Sequence, residues 1–286
     1  MLPSIRTMKP LALTAFALVA FAFNSILCRM ALAAGEVDAA SFTAVRLVSG
    51  AVVLAGLVLA SRKTLNPAKS GNWVSAFFLF AYAVAFSFAY LGLTTATGAL
   101  ILFGCVQLTM FGVSLHRGVR PGALEWVGLV VAFSGLVYLV LPGLSAPPLS
   151  SALLMATAGI AWGGYTLRGK GSEDPLADTA GNFIRSVPMV LVVALAFLPN
   201  LEASWRGVVL AVLSGAIASG VGYSVWYAAL KYHTPTRAAV LQLAVPVIAA
   251  VGGIGFLAEA ASVRLVVAGA LILGGIGLTL VRRKRS

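Results

Sequence analysis

The chain contains 286 residues, of which 60% are hydrophobic and only 10% are charged, and its mean hydropathy is +1.00. Soluble domains are about 45–50% apolar and about 25% charged, so this composition excludes a water-soluble globule. Disordered chains, collagen and coiled coils are excluded on the same grounds.

The net charge of +12 would suggest nucleic-acid binding in a soluble protein. Lys and Arg also collect in the cytoplasmic loops of membrane proteins, and no basic face interleaved with aromatic residues occurs outside the apolar runs. We therefore expect the lipid bilayer, not nucleic acid, as the surrounding partner. Cys28 and Cys105 lie far apart in apolar segments and indicate neither a metal site nor a disulfide framework.

Apolar runs bounded by Gly, Pro and charge predict an all-α membrane protein with ten spans in one domain over residues 1–286. A span needs roughly 20 apolar residues, and the runs lack the strict alternation of barrel strands. The first run is too long for a signal-peptide core of about 7–15 residues, so we interpret it as an uncleaved span. The predicted helices cover residues 11–34, 41–61, 73–92, 97–115, 123–141, 149–168, 177–198, 207–230, 237–257 and 262–281.

The distribution of Lys and Arg among alternate loops predicts the orientation. Fifteen of the twenty lie on one side of the predicted spans, two lie on the other, and three lie within spans. Cytoplasmic loops carry the excess of Lys and Arg, so both termini are predicted to be cytoplasmic and the protein to be multi-pass.

The two halves of the chain resemble each other at sparse positions. A shift of 139 residues places Arg29 on Arg168 and Arg46 on Arg185, although chance similarity between apolar sequences is the alternative. Each half holds five predicted spans, so the second half enters the membrane from the opposite face. Such inverted-topology repeats are typical of transporters whose ligand site lies near the midplane. The predicted 5+5 repeat covers residues 11–141 and 149–281.

Catalytic chemistry has little support in the sequence. The two histidines and all eight acidic residues fall near predicted helix ends or in loops, and no nucleophile–base pair or metal-ligand cluster lies within a span. We therefore predict a protein that is not an enzyme and needs no cofactor, with a lipid-acting membrane enzyme as the alternative. Proton-driven pumps place carboxylates or His within spans. Because these side chains are scarce within the predicted spans, we favour facilitated transport. Proton coupling through hydroxyls or water is the alternative.

Amide and aromatic side chains are the candidates for substrate binding. An unsatisfied amide or phenol in hydrocarbon is costly, so these groups are expected to face a cavity or one another. Core packing and helix–helix hydrogen bonding are the alternative interpretations. Together these groups suit a zwitterion with an apolar side chain, bound without a fixed charge. The candidates are Asn24, Tyr82, Gln107, Trp162, Tyr165, Tyr223, Trp226 and Gln242.

The three arginines within spans are candidates for gating ion pairs. Arg29 and Arg46 are expected close enough to the outer face to extend to the interface or to pair with Glu36 or Asp38. Arg185 is the corresponding residue near the cytoplasmic face. A purely structural role is the alternative for each.

Two prolines are predicted to lie in the middle of spans. Pro188 and Pro246 each free a backbone carbonyl and bend a helix, which makes them hinge candidates. Pro246 is the better candidate because its partner at a shift of 139 is Gln107, itself a candidate for the cavity.

Several segments resemble the EamA-like branch of the drug/metabolite transporter superfamily over nearly the whole chain. They are Phe23-Asn24-Ser25 with Arg29, Trp162-Gly163-Gly164-Tyr165 with Arg168, and Leu241-Gln242-Leu243-Ala244-Val245-Pro246, followed by Glu259 and a glycine-rich last helix.

Within that family the chain is most similar to YddG-type exporters of aromatic amino acids. The resemblance implies a bacterial inner-membrane carrier that exports amino acids, aromatic ones included, and related metabolites by alternating access. It also implies a central cavity lined from both halves, which we expect between helices 1, 3, 4, 6, 8 and 9, with helices 5 and 10 serving packing or self-association. Efflux of lipophilic cations or drugs is the alternative function, and the oligomeric state stays open.

Overall fold

The computed structural model describes ten helices and, within the described residues, one isolated β-bridge between Val37 and Ala203. The predicted all-helical architecture is confirmed. The described residues are 5–62, 70–116, 118, 122–141, 143, 146–197, 203–233 and 241–280. The helices are α1 (Ile5–Ala33), α2 (Ala39–Arg62), α3 (Trp73–Ala89), α4 (Thr95–His116), α5 (Ala123–Val140), α6 (Leu149–Gly169), α7 (Pro175–Ala196), α8 (Trp205–Leu230), α9 (Ala244–Leu257) and α10 (Val263–Leu280).

The helices are apolar over most of their length. Six of those described, α1, α2, α4, α5, α7 and α8, are long and apolar enough to cross a membrane, and α3, α9 and α10 contain shorter apolar stretches. Many large apolar side chains lie on the outside of the bundle, which is the arrangement expected where lipid surrounds the protein.

Polar side chains set where several helices begin. Asp38 accepts hydrogen bonds of 2.9 Å from the backbone N–H groups two and three residues later. Asn72, Asp174 and Ser204 cap α3, α7 and α8 in the same way. The predicted starts of α2, α7 and α8 were two residues too late because the apolar pattern begins only after these caps.

Helix α8 changes its hydrogen-bond pattern midway. Its segment Leu213–Val221 is a π-helix, while the segments before and after it are α-helical. In a π-helix the backbone bonds join residues five apart, so residues i and i+5 lie on the same side. Ser214 and Ser219 therefore both face α1, which an unbroken α-helix would not allow.

The connections between helices meet at opposite ends of the bundle. We call the end where α1 passes into α2 the first end: there the Ser204 N–H, just before α8, donates to the Glu36 carbonyl at 2.7 Å. At the other end, the second end, the Gly71 N–H just before α3 donates to Asp178 near the start of α7 at 2.9 Å. Helix α2 therefore runs from the first end to the second, and α7, which packs against it, runs the opposite way.

Helix packing surrounds a buried centre. Helix α1 contacts both α8 and α9, and α6 contacts both α3 and α4. Helices α5 and α10 pack against each other, where Gly275 lies against the backbone of α5. The predicted packing role of helices 5 and 10 agrees with this contact.

The close approach of α2 and α8 gives a prediction about stability. A Cβ atom on Gly215 would overlap the Arg46 carbonyl oxygen, whereas a Cβ on Gly56 of α2 would meet no atom within 4 Å. We expect Gly215→Ala to lower the melting temperature of the purified protein by several degrees, because overpacking costs about 1–3 kcal/mol. Gly56→Ala is the matched control and should leave the temperature unchanged or raise it, since Ala is the better helix former. Equal melting temperatures for the two variants would contradict the observed contact.

Candidate functional site

A small cavity of about 10 Å³, the size of a single water molecule, lies inside the bundle. Five of the six helices predicted to surround the substrate contribute to it, and the described residues of α9 do not line it. The lining residues are Phe21 and Asn24 of α1, Tyr82 of α3, Leu102 and Phe103 of α4, Trp162 of α6 and Tyr223 of α8.

Aromatic rings form one wall of this cavity. The Trp162 ring lies 4.5 Å from that of Tyr223, 5.0 Å from that of Tyr82 and 5.6 Å from that of Phe21, measured between centroids. The Trp226 ring lies 5.6 Å from that of Phe21. Offset and edge-on contacts of this kind hold the rings at fixed angles and present polarisable faces to a ligand.

Asn24 is a polar part of the lining, and the π-helical segment of α8 holds its side chain in place. The Asn24 Oδ1 atom accepts hydrogen bonds from the Ser214 and Ser219 hydroxyls at 2.8 and 3.0 Å. Its Nδ2 atom donates to the Tyr223 Oη atom at 3.3 Å. The amide is thus satisfied by neighbouring helices and also lines the cavity, so the two interpretations that the sequence left open both apply.

Arg46 lies at the centre of the bundle, and the expectation that it extends to the interface or pairs with Glu36 or Asp38 is wrong. Its side chain is 1% exposed. Its Nη2 atom donates to the Tyr82 and Tyr223 hydroxyls at 3.1 and 2.9 Å. The Asp38 cap starts α2 at residue 39, which places Arg46 roughly 10 Å along the helix and directs the guanidinium inward.

Arg29 was also expected to extend to the interface or to pair with Glu36 or Asp38, and its partner is instead Glu259. The Arg29 Nε atom lies 3.4 Å from the Glu259 Oε1 atom, and its Nη1 atom donates to the Tyr90 carbonyl at 2.9 Å.

The Glu259 carboxylate joins three helices near the first end. It accepts the Thr95 N–H at the start of α4, at 3.0 and 2.9 Å from its two oxygens. Glu259 itself lies just beyond the end of α9, and it pairs with Arg29 of α1. We call Arg29, Tyr90, Thr95 and Glu259 the first-end cluster.

A second group of polar contacts lies near the second end. Arg168 donates to Ser75 at 3.1 Å and to Asn72 at 3.1 Å. Arg185 donates to the backbone carbonyls of Ser70 and Gly181 at 2.6 and 3.0 Å. Both arginines therefore link the start of α3 to helices of the second half.

The other predicted residues fall into two groups. Tyr165 and Trp226 are buried beside the cavity wall, and the Tyr165 ring lies 5.6 Å from that of Trp162. Gln107 and Gln242 do not line the cavity, although Gln107 Nε2 and Gln242 Oε1 are buried without a hydrogen-bond partner in the part of the chain that is described.

The two prolines also differ in position. Pro188 lies inside α7 as predicted. Pro246 lies in the first turn of α9, three residues after a break at Leu243, so its predicted place in the middle of a helix is wrong. Proline has no N–H to donate to the carbonyl four residues earlier, which is that of Gln242.

Several residues of the site show no sequence pattern that marks them as functional. Phe21, Leu102 and Phe103 are apolar residues among many, and Ser214 and Ser219 follow no α-helical spacing because they belong to the π-segment. In a helix that is apolar on all sides, hydropathy does not show which side chains face the interior of the bundle.

Comparison with known proteins identifies a family for the second half of the chain. Residues 149–281 match the EamA-like transporter family. An uncharacterized protein of Pseudomonas aeruginosa is 50% identical over 275 residues, which is 96% of each chain. The threonine/homoserine exporter RhtA of Escherichia coli K12 is 34% identical over 187 residues, covering 61% of this chain and 60% of that protein.

Two further similarities extend this result. An uncharacterized transporter of Archaeoglobus fulgidus is 30% identical over 167 residues, covering 56% of this chain and 57% of that protein. One crystal structure of a protein aligns over 95% of this chain and 98% of its own with a TM-score of 0.65 and 19% identity, which shows a shared fold. Residues 149–281 therefore belong to the EamA-like transporter family, and the apolar helices indicate a multi-pass membrane protein.

Proposed function

We propose that this transporter exports free amino acids, aromatic ones included, and related small metabolites across a bacterial inner membrane by alternating access. The observation that carries the proposal is the buried cavity whose lining combines aromatic rings with the Asn24 amide. Once the surrounding helices move apart, this lining suits a small molecule with polar backbone groups and an apolar side chain, because the cavity in this conformation has room for only about one water molecule. The similarity to an exporter of threonine and homoserine supports the same class of substrate.

We further propose that the helices form two five-helix repeats of opposite orientation. Exchanging each helix with the one five places later preserves several of the main helix contacts: α1 with α8 corresponds to α6 with α3, and α1 with α9 corresponds to α6 with α4. The contacts of α4 with α1, α5 and α10 have no counterpart of similar extent for α9 among the described residues. Helices α2 with α7 and α5 with α10 each pack against their own counterpart. The α1–α2 connection lies at the first end, whereas its counterpart between α6 and α7 contacts the start of α3 at the second end, which supports inversion.

The excess of Lys and Arg supports an orientation with the second end and both termini in the cytoplasm. The first-end cluster would then separate the cavity from the outside. In this proposal the first-end cluster opens for release, and the contacts of Arg168 and Arg185 at the second end open for loading. Helices on either side of the cavity would move relative to each other, as inverted repeats do in other carriers.

The surroundings of the cavity favour facilitated transport of zwitterions over efflux of lipophilic cations. No described carboxylate lines the cavity, so an intramembrane acid that would exchange a proton for a cation has no counterpart there. Arg46, bonded to two of the lining hydroxyls, adds positive charge that opposes a cationic ligand.

Transport by the purified protein tests this proposal. Proteoliposomes preloaded with unlabelled threonine are expected to take up labelled threonine and tryptophan in a saturable way, and protein-free vesicles are the control. Neutral amino acids should compete and tetraphenylphosphonium should not, because the site holds no carboxylate for a cation. An imposed pH gradient should not drive accumulation; flux coupled to stoichiometric acidification of the lumen would contradict the facilitated mechanism.

The break before Pro246 predicts a hinge in α9. Pro246→Ala restores an N–H that can bond to the Gln242 carbonyl, so we expect a stiffer helix and transport slowed by roughly 2- to 30-fold. Pro175→Ala, at the first position of α7 where no such bond is lost, is the matched control. Expression and membrane insertion should be normal for both. Unchanged flux in the Pro246 variant would remove this residue from the gate.

The first-end cluster predicts the accessibility of a native cysteine. Cys28 is fully buried and adjacent to Arg29. In a Cys105→Ala background, Glu259→Ala removes the ion pair and the acceptor for Thr95, so we expect Cys28 to react with a membrane-impermeant maleimide about tenfold faster or more. Glu125→Ala is the control, because that exposed carboxylate only caps α5. Equal labelling of the two variants would show that the cluster does not close this end.

A further inference from the structure

Arg46 is a buried cation whose neighbours among the described residues are all neutral. Besides the two tyrosine hydroxyls, its Nε atom donates to the Ser219 hydroxyl at 3.0 Å. Its Cζ atom lies 5.2 Å from the ring centroid of Tyr82 and 4.9 Å from that of Phe86. It forms no ion pair with any described carboxylate, since its partners among the described residues are these hydroxyls and rings.

The guanidinium also keeps one hydrogen-bonding atom unused. Its Nη1 atom is buried and has no hydrogen-bond partner in the described structure. Cation–π contacts and neutral hydroxyls compensate a buried charge only in part, and an ionisable residue inside the membrane that lacks a counter-ion points to a functional site. The missing element is an acceptor for Nη1, and an anion would supply it together with a counter-charge.

The cavity lies next to the guanidinium. Tyr82 and Tyr223 line it, and the same hydroxyls accept the hydrogen bonds of Arg46. The Tyr223 hydroxyl in turn donates to that of Tyr82 at 3.2 Å. Hydroxyls both donate and accept, so these two groups can donate to an anion in the cavity, and an anion that displaces one of them as an acceptor would contact the guanidinium directly.

We propose that Arg46 binds the carboxylate of the transported substrate, an inference that rests on the proposed function and names the group recognised at that site. The two acceptor oxygens of a carboxylate match the donor fork of a guanidinium, including Nη1. The aromatic wall around Trp162 then takes the ammonium group against its ring faces and packs against the side chain. Substrates are thus small carboxylates, and amines, amides or esters that lack the carboxylate are rejected.

This assignment differs from a structural role in what it predicts for selectivity. An arginine that only joins α2, α3 and α8 would, when replaced, weaken transport of all substrates alike. A carboxylate-binding arginine sets the preference for an acid over its amide. That ratio is independent of how much folded protein each preparation contains.

The experiment compares threonine with threonine amide as competitors of labelled threonine uptake in proteoliposomes. In the wild type we expect the acid to compete at least about tenfold better, because charge-assisted hydrogen bonds are lost with the amide. In Arg46→Gln the two should compete equally, and in Arg46→Lys, which keeps the charge without the fork, the ratio should be intermediate. The control is Arg185→Gln, which should keep the wild-type ratio even if its rate falls. A wild-type ratio in either Arg46 variant would overturn the proposal.

A binding measurement separates failure of this inference from failure of the proposed function. Quenching of tryptophan fluorescence by 4-nitrobenzoate and by 4-nitrobenzamide is measured on the purified protein in lipid nanodiscs, with no transport required. We expect saturable binding of the benzoate that is lost in Arg46→Gln, and no saturable binding of the amide to either protein. If amino acids are not transported but this difference appears, only the proposed substrates are wrong. Benzoate binding that survives in Arg46→Gln would refute the role of Arg46.

Discussion

The centre of this protein is arranged around a buried guanidinium that has no carboxylate partner among the described residues. Burying an unpaired charge costs several kcal/mol, so the neighbours of Arg46 must supply every compensation available. Hydroxyls of Tyr82, Tyr223 and Ser219 accept its hydrogen bonds, and aromatic faces cover it. These groups come from α3 and α8, so the charge on α2 fixes how three helices of both halves meet.

The π-helical segment of α8 makes this arrangement possible. Because it places residues five apart on the same side, both Ser214 and Ser219 donate hydrogen bonds to Asn24. The Ser219 hydroxyl also accepts a hydrogen bond from Arg46. Gly215, between them, allows the α2 backbone to approach closely. Local departures from α-helical geometry often accompany functional sites, and a segment with alternative hydrogen bonding is suited to adjust when a ligand enters. The same segment thus positions the polar groups beside the cavity and is suited to rearrange them.

The sequence predicted the helices and part of the site, for physical reasons that also explain the failures. Long apolar runs specify spans, and a phenol or indole inside lipid must find a partner, which is why Tyr82, Trp162 and Tyr223 were expected in the interior and are buried there. The depth of Arg46 was missed because hydropathy does not reveal on which side of an apolar helix a charge points. The contact between Arg29 and Glu259 joins residues far apart in the chain, which no local pattern encodes.

In the proposed mechanism, the charged centre recognises an anionic group of the substrate, between the polar contacts that close the two ends. The proposed counter-ion of Arg46 is the substrate itself. The most direct measurement is a cryo-electron microscopy structure in lipid nanodiscs at a saturating concentration of a transported amino acid. We expect a substrate carboxylate oxygen about 2.7–2.9 Å from a guanidinium nitrogen of Arg46. Substrate bound with its carboxylate elsewhere, while Arg46 keeps its bonds to Tyr82 and Tyr223, would contradict it.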